Sequence, residues 1–296
     1  MQPFWPRRSP HFLACRRAVR PFDGPAVIGM SGGPDSLALV AAAAAEQKDV
    51  SVLVVDHGLQ PGSADVAERA AAVAREFGFA STVANVTVGP GNVEAAAREA
   101  RYAALLESGR DVWVAHTADD QAETLLLGAL RGNPSGMAQR NGKIVRPFLH
   151  IRRADTVGAC EELGLEVWHD PMNSDPAYRR VAMRQSIIPA LTDLLGGDAV
   201  PALATTANRI AADQALIEQL ADLTPTTSCV ELEGDAGPVR RRRLAIWLLG
   251  EGVRVQGDQL AAIEALVTNW RGQGPIAVGG GRAVVRVDGK LVLVRA

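Results

Sequence analysis

Residues 26–40 read AVIGMSGGPDSLALV, and this stretch decides the fold of the chain. Its first five residues, Ala26–Met30, form an apolar run of strand length, and an alanine-rich helical stretch opens at Leu37. Glycines and hydroxyls between a strand and a helix let the backbone close around a phosphate, which the free N–H groups and the helix dipole then bind. Pro34 suits the first helical position, where its missing N–H costs nothing. The predicted phosphate site comprises Ser31, Gly32, Gly33, Pro34, Asp35 and Ser36.

The loop differs from a Walker phosphate loop. No Gly-Lys-Ser or Gly-Lys-Thr follows its glycines, and lysine occurs in the chain only at Lys48, Lys143 and Lys290. The Walker lysine reaches the β- and γ-phosphates, so its absence favours a pyrophosphate that leaves over a γ-phosphoryl group that is transferred.

Composition indicates an ordinary globular protein of 296 residues, long enough for a sizeable core and two domains. Its hydrophobic fraction of 47% fits a soluble chain, and its net charge of −2 provides no overall attraction to nucleic acid. An RNA contact would therefore need local arginine patches, because arginine binds phosphate with two parallel hydrogen bonds. The arginine bias fits the composition of the source genome equally well.

Cysteine usage and the N-terminus predict a cytoplasmic protein without a membrane segment. The three cysteines form no Cys-x-x-Cys pair for zinc, a cluster or a redox dithiol, and are interpreted as reduced structural thiols. Arg7-Arg8 does not start a twin-arginine signal, since Cys15-Arg16-Arg17 interrupts the apolar region that such a signal needs. The longest apolar run, Leu37 to Ala45, is too short to span a bilayer.

The first half of the chain alternates apolar strand-like runs with helical windows. Near-continuous apolar strands joined by helical crossovers predict an α/β fold, a doubly wound and mostly parallel sheet covered on both faces. The predicted strands are 26–30, 50–55, 81–88 and 111–115, and the predicted helices are 37–46, 64–77, 93–107 and 121–130. In such sheets the ligand crevice lies outside the carboxyl ends of the strands. Three polar motifs fall there: Ser31–Ser36, Asp56-His57 and His116 to Glu123.

The second half predicts a smaller helical domain that ends in a β-hairpin. Lys143–Phe148 is predicted as a strand and Arg152–Leu163 as a helix. Further helices are predicted near 199–223, 239–249 and 259–270, and short strands at 276–278, 283–287 and 291–294. Asp288-Gly289 is typical of a tight hairpin turn. A boundary near Pro189 to Gly197 gives domains 1–190 and 191–296.

The motifs after the second and fourth strands carry candidate catalytic groups. Asp56 can reach a ribose or a magnesium ion, although an Asp turn after a strand is common on its own. Asp120 and Glu123 lie three residues apart on one helix face, where they can hold magnesium or bind an amine and accept its proton. His116 can add a donor beside a phosphate. Alone, this motif is typical of an N-capped helix with acids in its first turn; beside a phosphate loop we favour the catalytic interpretation.

Together the motifs resemble one family. SGGPDS at 31–36 is similar to the pyrophosphate loop of the ATP-pyrophosphatase, or PP-loop, superfamily. VDHGL at 55–59 and HTADDQAET at 116–124 narrow the resemblance to the tRNA(Ile)-lysidine synthetase family. Residues 130–137, 146–149 and 170–184 resemble further motifs of that family, so the resemblance spans about residues 26 to 190 in the family's order. The tail resembles a short form of the family's C-terminal tRNA-contacting region. Two positions depart from the family pattern, Gln60 where arginine is usual and Val181 where asparagine is usual.

The resemblance implies an adenine nucleotide alpha-hydrolase-like fold and a ligase that forms a C–N bond. ATP, with Mg²⁺, would adenylate the C2 carbonyl oxygen of the wobble cytidine in the CAU anticodon of tRNA(Ile), releasing pyrophosphate. The amine of free L-lysine would then displace AMP and leave lysidine. The candidate catalytic residues are Asp35, His116, Asp120, Glu123 and Arg180, of which Asp35 and Asp120 are also the metal candidates. The candidates for ATP binding are Ser31, Gly32, Gly33, Pro34, Asp35, Ser36, Asp56 and His57. The candidates for tRNA binding are Arg131, Arg152, Arg153, Arg180 and Arg184.

Other interpretations stay open on the sequence alone. One alternative is a PP-loop tRNA thiolase. Its sulfur transfer would resemble chemistry that depends on cysteines or a cluster, and the absence of a Cys-x-x-Cys pair disfavours this alternative. A small-molecule synthetase that makes GMP or NAD would not need the arginine-bearing segment 170–184. A non-catalytic nucleotide- or RNA-binding module would be favoured if Ser31, Asp35 or Asp120 were missing, and all three are present. The sequence does not fix the oligomeric state, and a homodimer is kept as an expectation.

Overall fold

The strands of the first half form one mostly parallel sheet. In the computed structural model, which describes residues 5–6, 8–60, 62–87, 89, 93–168 and 178–295, six strands make up this sheet. They are β1 (Ala26–Met30), β2 (Val50–Asp56), β3 (Ser81–Asn85), β4 (Asp111–Trp113), β5 (Arg140–Asn141) and β6 (Ile144–Val145). Their order is β3-β2-β1-β4-β6-β5, with β5 antiparallel to β6 and every other pair parallel. The predicted doubly wound α/β class is confirmed.

The order of the strands sets where a ligand can bind. The chain runs outward from β1 through β2 to β3 and then returns to β4 on the other side of β1. The strand order therefore reverses between β1 and β4, and ligands of such sheets bind at this point, outside the carboxyl ends. The loop at 31–36 and the motif at 116–123 follow these two strands.

Six helices accompany this sheet, and the alanine-rich one is the most deeply buried. They are α1 (Pro10–Val19), α2 (Pro34–Ala45), α3 (Ser63–Glu76), α4 (Val93–Leu106), α5 (Ala118–Ala129) and α6 (Arg153–Leu163). Every residue of α2 from Ser36 to Ala43 is buried, because small side chains let neighbouring elements approach closely. The core around it includes Phe12, Trp113 and Phe148. Helix α1 was not predicted from the sequence.

From Arg179 onward the chain is mostly helical until its tail. The helices are α7 (Arg179–Ala182), a π-helical turn (Met183–Ile187), α8 (Ile188–Leu195), α9 (Val200–Leu220), α10 (Cys229–Gly234), α11 (Gly237–Gly250) and α12 (Gly257–Thr268). The tail strands β7 (Ile276–Gly279), β8 (Arg282–Val287) and β9 (Lys290–Arg295) form an antiparallel sheet in chain order. Between β8 and β9, Asp288 and Gly289 have φ of +47° and +74°, as a two-residue type I′ hairpin requires.

One predicted strand is much shorter than expected. The apolar pattern of 143–148 yields only Ile144–Val145. The next residue, Arg146, is 7% exposed and donates from its Nη1 to the Ala138 carbonyl oxygen at 2.8 Å. Arg140–Asn141 instead pairs with this strand and closes the edge of the sheet with a short hairpin.

The chain divides into two compact units. One comprises Met1–Leu127 and Gly136–Asn208, and the other comprises Gly128–Ser135 and Arg209–Ala296. The division falls inside α9, whereas the sequence-based division into 1–190 and 191–296 assigns separate functions and stays a prediction. Over the described ranges, no single helix is long and apolar enough to cross a membrane, and a bent pair, Arg179–Leu195 with Val200–Leu220, meets the length and composition criteria only when taken together.

Candidate active site

The loop after β1 closes tightly at the start of α2. Gly32 has a φ of +81°, and a Cβ at this position would lie 3.5 Å from the Ala70 Cβ. The Ser36 hydroxyl accepts a hydrogen bond from the Ser31 N–H at 3.2 Å and lies 3.0 Å from the Gly33 carbonyl oxygen, to which it can donate. Gly33 is the N-cap residue of α2, and no side chain of the described residues caps the helix, so its first N–H groups stay available to an anion.

Asp35 stands in the first turn of α2, and two residues of α6 hold its carboxylate. Its Oδ1 accepts a hydrogen bond from the Thr156 hydroxyl, and its Oδ2 lies 3.5 Å from Arg153 Nε. Burial raises the pKa of Asp35 above its ordinary value, although Arg153 and Thr156 both oppose that shift.

Asp120 is held at the start of α5 by the residue that precedes the helix. Its Oδ2 accepts the N–H of Thr117 at 2.7 Å and the Thr117 hydroxyl at 2.9 Å. Its Oδ1 accepts from Arg153 Nη2 at 2.7 Å. Burial is the largest influence on the pKa of Asp120 and raises it, but Arg153, His116 and the Thr117 bonds together outweigh burial and the pKa is lowered.

Arg153 joins three carboxylates through one guanidinium. Its Nη2, Nη1 and Nε lie 2.7, 3.1 and 3.5 Å from Asp120, Glu123 and Asp35 respectively. Burial would lower the pKa of Arg153, but the three carboxylates outweigh burial and raise it. The structure thus brings together the carboxylates assigned to one crevice from the sequence. It also gives Arg153 internal partners that its predicted tRNA role did not anticipate.

Glu123 is fully buried and shares its charge with two further arginines. Its Oε1 accepts from Arg184 Nε at 2.9 Å and its Oε2 lies 3.7 Å from Arg180 Nη1. The Arg180 and Arg184 side chains are about a third exposed. Arg184 lies in the π-helical turn, a local irregularity that is frequent at functional sites. Arg180 and Arg184, both predicted to bind tRNA, therefore contact a site carboxylate.

The remaining predicted tRNA-binding residues lie apart from this cluster or in the other unit. Arg152 pairs with Asp119, from Nε to Oδ2 at 3.1 Å, and with Asp198. Asp119 also accepts the Arg153 N–H at 2.8 Å and so caps α6. Arg131 is an exposed residue of the C-terminal unit.

Two buried polar atoms at the motif after β2, one in the motif itself and one in α4, have no hydrogen-bond partner among the described residues. Asp56 is 8% exposed, and its Oδ1 accepts the Gly58 N–H at 2.9 Å, as in an ordinary Asp turn. His57 Nδ1 and Arg101 Nε are the unpartnered atoms. Burial, followed by the nearby Arg101, lowers the pKa of His57. Buried polar atoms in a native protein are normally paired, so this edge of the sheet can accept a polar ligand or water.

His116 carries its proton on one defined nitrogen. Arg146 Nε donates to His116 Nδ1 at 3.3 Å, so the neutral ring has its proton on Nε2. Burial lowers the pKa of His116 well below its ordinary value. The residue is therefore a neutral hydrogen-bond donor near pH 7, as a contact with a phosphate oxygen requires.

Three arginines near this histidine escaped the sequence analysis. Arg98 and Arg101 lie 4.9 and 5.4 Å from the centroid of the Tyr102 ring, and both lower the pKa of His116 together with Arg146. A signal existed for two of them, because Arg98 and Arg101 lie three residues apart and share a face of the helix predicted over 93–107. Arg146 belongs to the motif at 146–149, but nothing in the sequence places it beside His116, since its surroundings depend on the short hairpin at the sheet edge.

The structure describes only part of one predicted motif. Of the segment at 170–184, residues 170–177 lie outside the described residues, whereas Arg180 and Arg184 lie inside them. Within the described parts of the chain, no group of three or more His, Cys, Asp or Glu side chains is arranged to hold a metal ion. All three cysteines are buried and free, and burial raises the pKa of the Cys160 thiol to about 12.

Comparison with known proteins gives the same fold and a close set of relatives. Residues 17–191 match the family model of the PP-loop domain. The tRNA(Ile)-lysidine synthase of Corynebacterium glutamicum is 51% identical over 304 residues, which cover 97% of this chain and 96% of the relative. That of Corynebacterium diphtheriae is 51% identical over 292 residues, covering 98% and 99% respectively. Among solved structures, the U34-tRNA thiolase NcsA from Methanococcus maripaludis with its [4Fe-4S] cluster matches with a TM-score of 0.55 at 17% identity, covering 74% of this chain and 86% of that one. This structural likeness concerns the fold alone.

Proposed function

The chain belongs to the tRNA(Ile)-lysidine synthase family of PP-loop proteins, and on that premise we propose that it ligates free L-lysine to the wobble cytidine of tRNA(Ile). The C2 carbonyl oxygen of that cytidine, in a CAU anticodon, attacks the α-phosphorus of ATP and releases pyrophosphate. The lysine ε-amine then attacks C2, forms the C–N bond and releases AMP. The observation that carries the proposal is the identity of about half over nearly the full length of named synthases.

The first half of the reaction needs donors around the phosphates of ATP. In the loop at Ser31–Ser36, the free N–H groups at the start of α2 suit the pyrophosphate that leaves. Asp56 and His57 follow the neighbouring strand, where the nucleoside of a bound nucleotide would lie. His116, a neutral donor through Nε2, suits a phosphate oxygen that gains charge in the transition state.

The carboxylates at this crevice fit Mg²⁺. Asp35 and Asp120 offer hard oxygen ligands, and magnesium commonly takes one or two carboxylates together with substrate phosphates. We propose that these two residues hold the ion, which would neutralise charge on the phosphates of ATP. Both carboxylates contact Arg153, so a cation between them would compete with that guanidinium.

The second half of the reaction needs a group that binds an ammonium and removes its proton. Asp120 and Glu123 lie on one face of α5, one turn apart, and both contact Arg153. Either carboxylate can accept the proton of the lysine ammonium before the amine attacks.

The tRNA contacts are proposed for arginines in both units. Arg180 and Arg184 are the first candidates for tRNA contacts, because they are partly exposed and lie beside the proposed catalytic carboxylate Glu123. Arg131 is exposed, and Arg152 lies at the edge of the carboxylate cluster, where it pairs with Asp119. Both are proposed to contact the phosphate backbone of the tRNA. For Arg153 we now favour a role as counterion of the carboxylates over direct contact with tRNA. A homodimer, to be tested by light scattering, and a cytoplasmic location, to be tested by cell fractionation, belong to this proposal as well.

One assay tests the whole proposal. The protein is incubated with ATP, Mg²⁺, labelled lysine and either of two CAU-anticodon transcripts, tRNA(Ile) or elongator tRNA(Met). We expect label in tRNA(Ile) alone, with one AMP and one pyrophosphate for each lysine incorporated. Transfer of sulfur instead of lysine would favour a thiolase. ATP binding without any product would favour a non-catalytic module.

A further inference from the structure

Helix α6 presents two residues of one turn to Asp35, and only Arg153 belongs to the predicted site. The other is Thr156, whose side chain is completely buried. Its hydroxyl donates to Asp35 Oδ1, and among the described residues it is the only uncharged group that hydrogen-bonds to this carboxylate. Arg153 and Thr156 lie three residues apart, so the helix holds both toward the same point.

The distances show that Thr156 is the nearer of the two donors. The Arg153 guanidinium lies 2.7 Å from Asp120 and 3.1 Å from Glu123 but 3.5 Å from Asp35. A nitrogen-to-oxygen distance of 3.5 Å is at the limit of a hydrogen bond. Arg153 therefore mainly fixes the two carboxylates of α5, and the orientation of Asp35 depends on the threonine hydroxyl.

The Thr156 hydroxyl has a second possible acceptor within its own helix. Thr156 Oγ1 also lies 2.8 Å from the Arg153 carbonyl oxygen, a bond within the helix that would satisfy it. A hydroxyl has only one proton to donate, and a carboxylate is the stronger acceptor because the bond is charge-assisted. While Asp35 is ionised, the proton is directed to Asp35.

We propose that Thr156 is a positioning residue that fixes the orientation of the Asp35 carboxylate. It binds Oδ1, which leaves Oδ2 as the oxygen available to Arg153 or to a cation. The inference rests on the proposed function, in which Asp35 binds the divalent cation that accompanies ATP.

The test compares a variant without the hydroxyl with variants that keep it. Thr156→Val removes only the hydroxyl, and Thr156→Ser keeps it. Thr205→Val is the matched control, because the Thr205 hydroxyl donates to the Pro201 carbonyl oxygen at 2.8 Å within α9, the same kind of bond within a helix that is open to Thr156. Electron paramagnetic resonance measures Mn²⁺ binding in the presence of a non-hydrolysable ATP analogue. Steady-state assays of lysidine formation give kcat and the KM for ATP.

We expect Thr156→Val to weaken Mn²⁺ binding and to lower kcat, each by about 10- to 100-fold, as is typical when the partner of a metal ligand is removed. Thr156→Ser and Thr205→Val should stay close to wild type in both measurements. Wild-type Mn²⁺ binding in Thr156→Val, or equal losses in Thr156→Val and Thr156→Ser, would overturn the proposal. Equal losses would mean that the methyl group and its packing matter.

Thermal unfolding and a second pair of variants separate loss of the hydroxyl from loss of folding. Thermal unfolding of each variant shows whether it folds, and if Thr156→Val does not, the pair Thr156→Ser and Thr156→Ala tests the hydroxyl in the same way. Failure of the wild-type protein to form lysidine would contradict the proposed function. An active wild type with an unaffected Thr156→Val variant would contradict only the role of Thr156.

Discussion

At the scale of single residues, Glu123 has the most demanding position in the candidate site. It is fully buried and contacts the guanidinium groups of Arg153, Arg180 and Arg184. A buried carboxylate with three cationic partners is costly to neutralise, because its removal leaves charges unpaired in a poorly solvated place.

We expect Glu123→Gln to reduce lysidine formation at least about 100-fold, since an amide cannot accept the proton of the lysine amine. It should also lower the free energy of unfolding by roughly 2 to 3 kcal/mol, with solvent screening of the two partly exposed arginines limiting the loss. Labelled-lysine incorporation and chemical denaturation measure the two effects. Glu161→Gln, on the exposed surface of α6, is the control. Full activity of Glu123→Gln would mean that Glu123 is not the base and serves only as a counterion of the arginines.

At the scale of elements, the strands were predictable and the first helix was not. Apolar runs locate β1 to within a residue, because a parallel strand that is buried on both faces is apolar along its whole length. Helix α1 instead depends on α6: Glu162 accepts the N–H groups of His11 and Phe12 at 3.2 and 2.8 Å, and no side chain next to the helix caps it. The surroundings of Arg153 could not be predicted for a related reason. The partners of Arg153 come from α2 and α5, whereas the sequence alone shows only the consecutive pair Arg152-Arg153, which is typical of an exposed surface.

The contact between α1 and α6 makes a prediction about a glycine inside a helix. A Cβ on Gly158 would lie 2.6 Å from two ring atoms of His11, which hydrogen-bonds through Nδ1 to Asp155 at 2.9 Å. Alanine is the better helix former by about 1 kcal/mol, but overpacking costs about 1 to 3 kcal/mol. Gly158→Ala should therefore destabilise the protein by about 1 kcal/mol.

A double-mutant cycle checks the cause. In a His11→Ala background the ring is gone and only a contact with the His11 Cβ at 3.1 Å persists, so the cost of Gly158→Ala should fall by about 1 kcal/mol. Gly250→Ala, where a new Cβ meets nothing within 4 Å, is the control in chemical denaturation. An identical cost in both backgrounds would show that His11 does not require the glycine.

At the scale of the whole molecule, the charge of −2 means that tRNA binding has to come from a few arginines. Not every arginine run qualifies. In the C-terminal unit, Arg240 pairs with Glu264, and Arg243 is 8% exposed and pairs with Asp235. These residues hold that unit together, which no pattern of consecutive arginines could reveal, because the partners come from elsewhere in its fold.

The arginines beside Glu123 should therefore contribute measurably to the salt dependence of tRNA binding. Each phosphate contact changes the slope of log K against log salt by about 0.7 to 0.9, so Arg180→Ala and Arg184→Ala should each reduce the slope by roughly that amount. Filter binding of tRNA(Ile) from 50 to about 200 mM salt measures it, with Arg20→Ala, a surface residue paired with Glu46, as the control. Both arginines also contact Glu123, so loss of turnover alone cannot identify an RNA contact, whereas the slope responds only to phosphate. Unchanged slopes together with lost turnover would mean that Arg180 and Arg184 serve the carboxylates and that tRNA is held elsewhere.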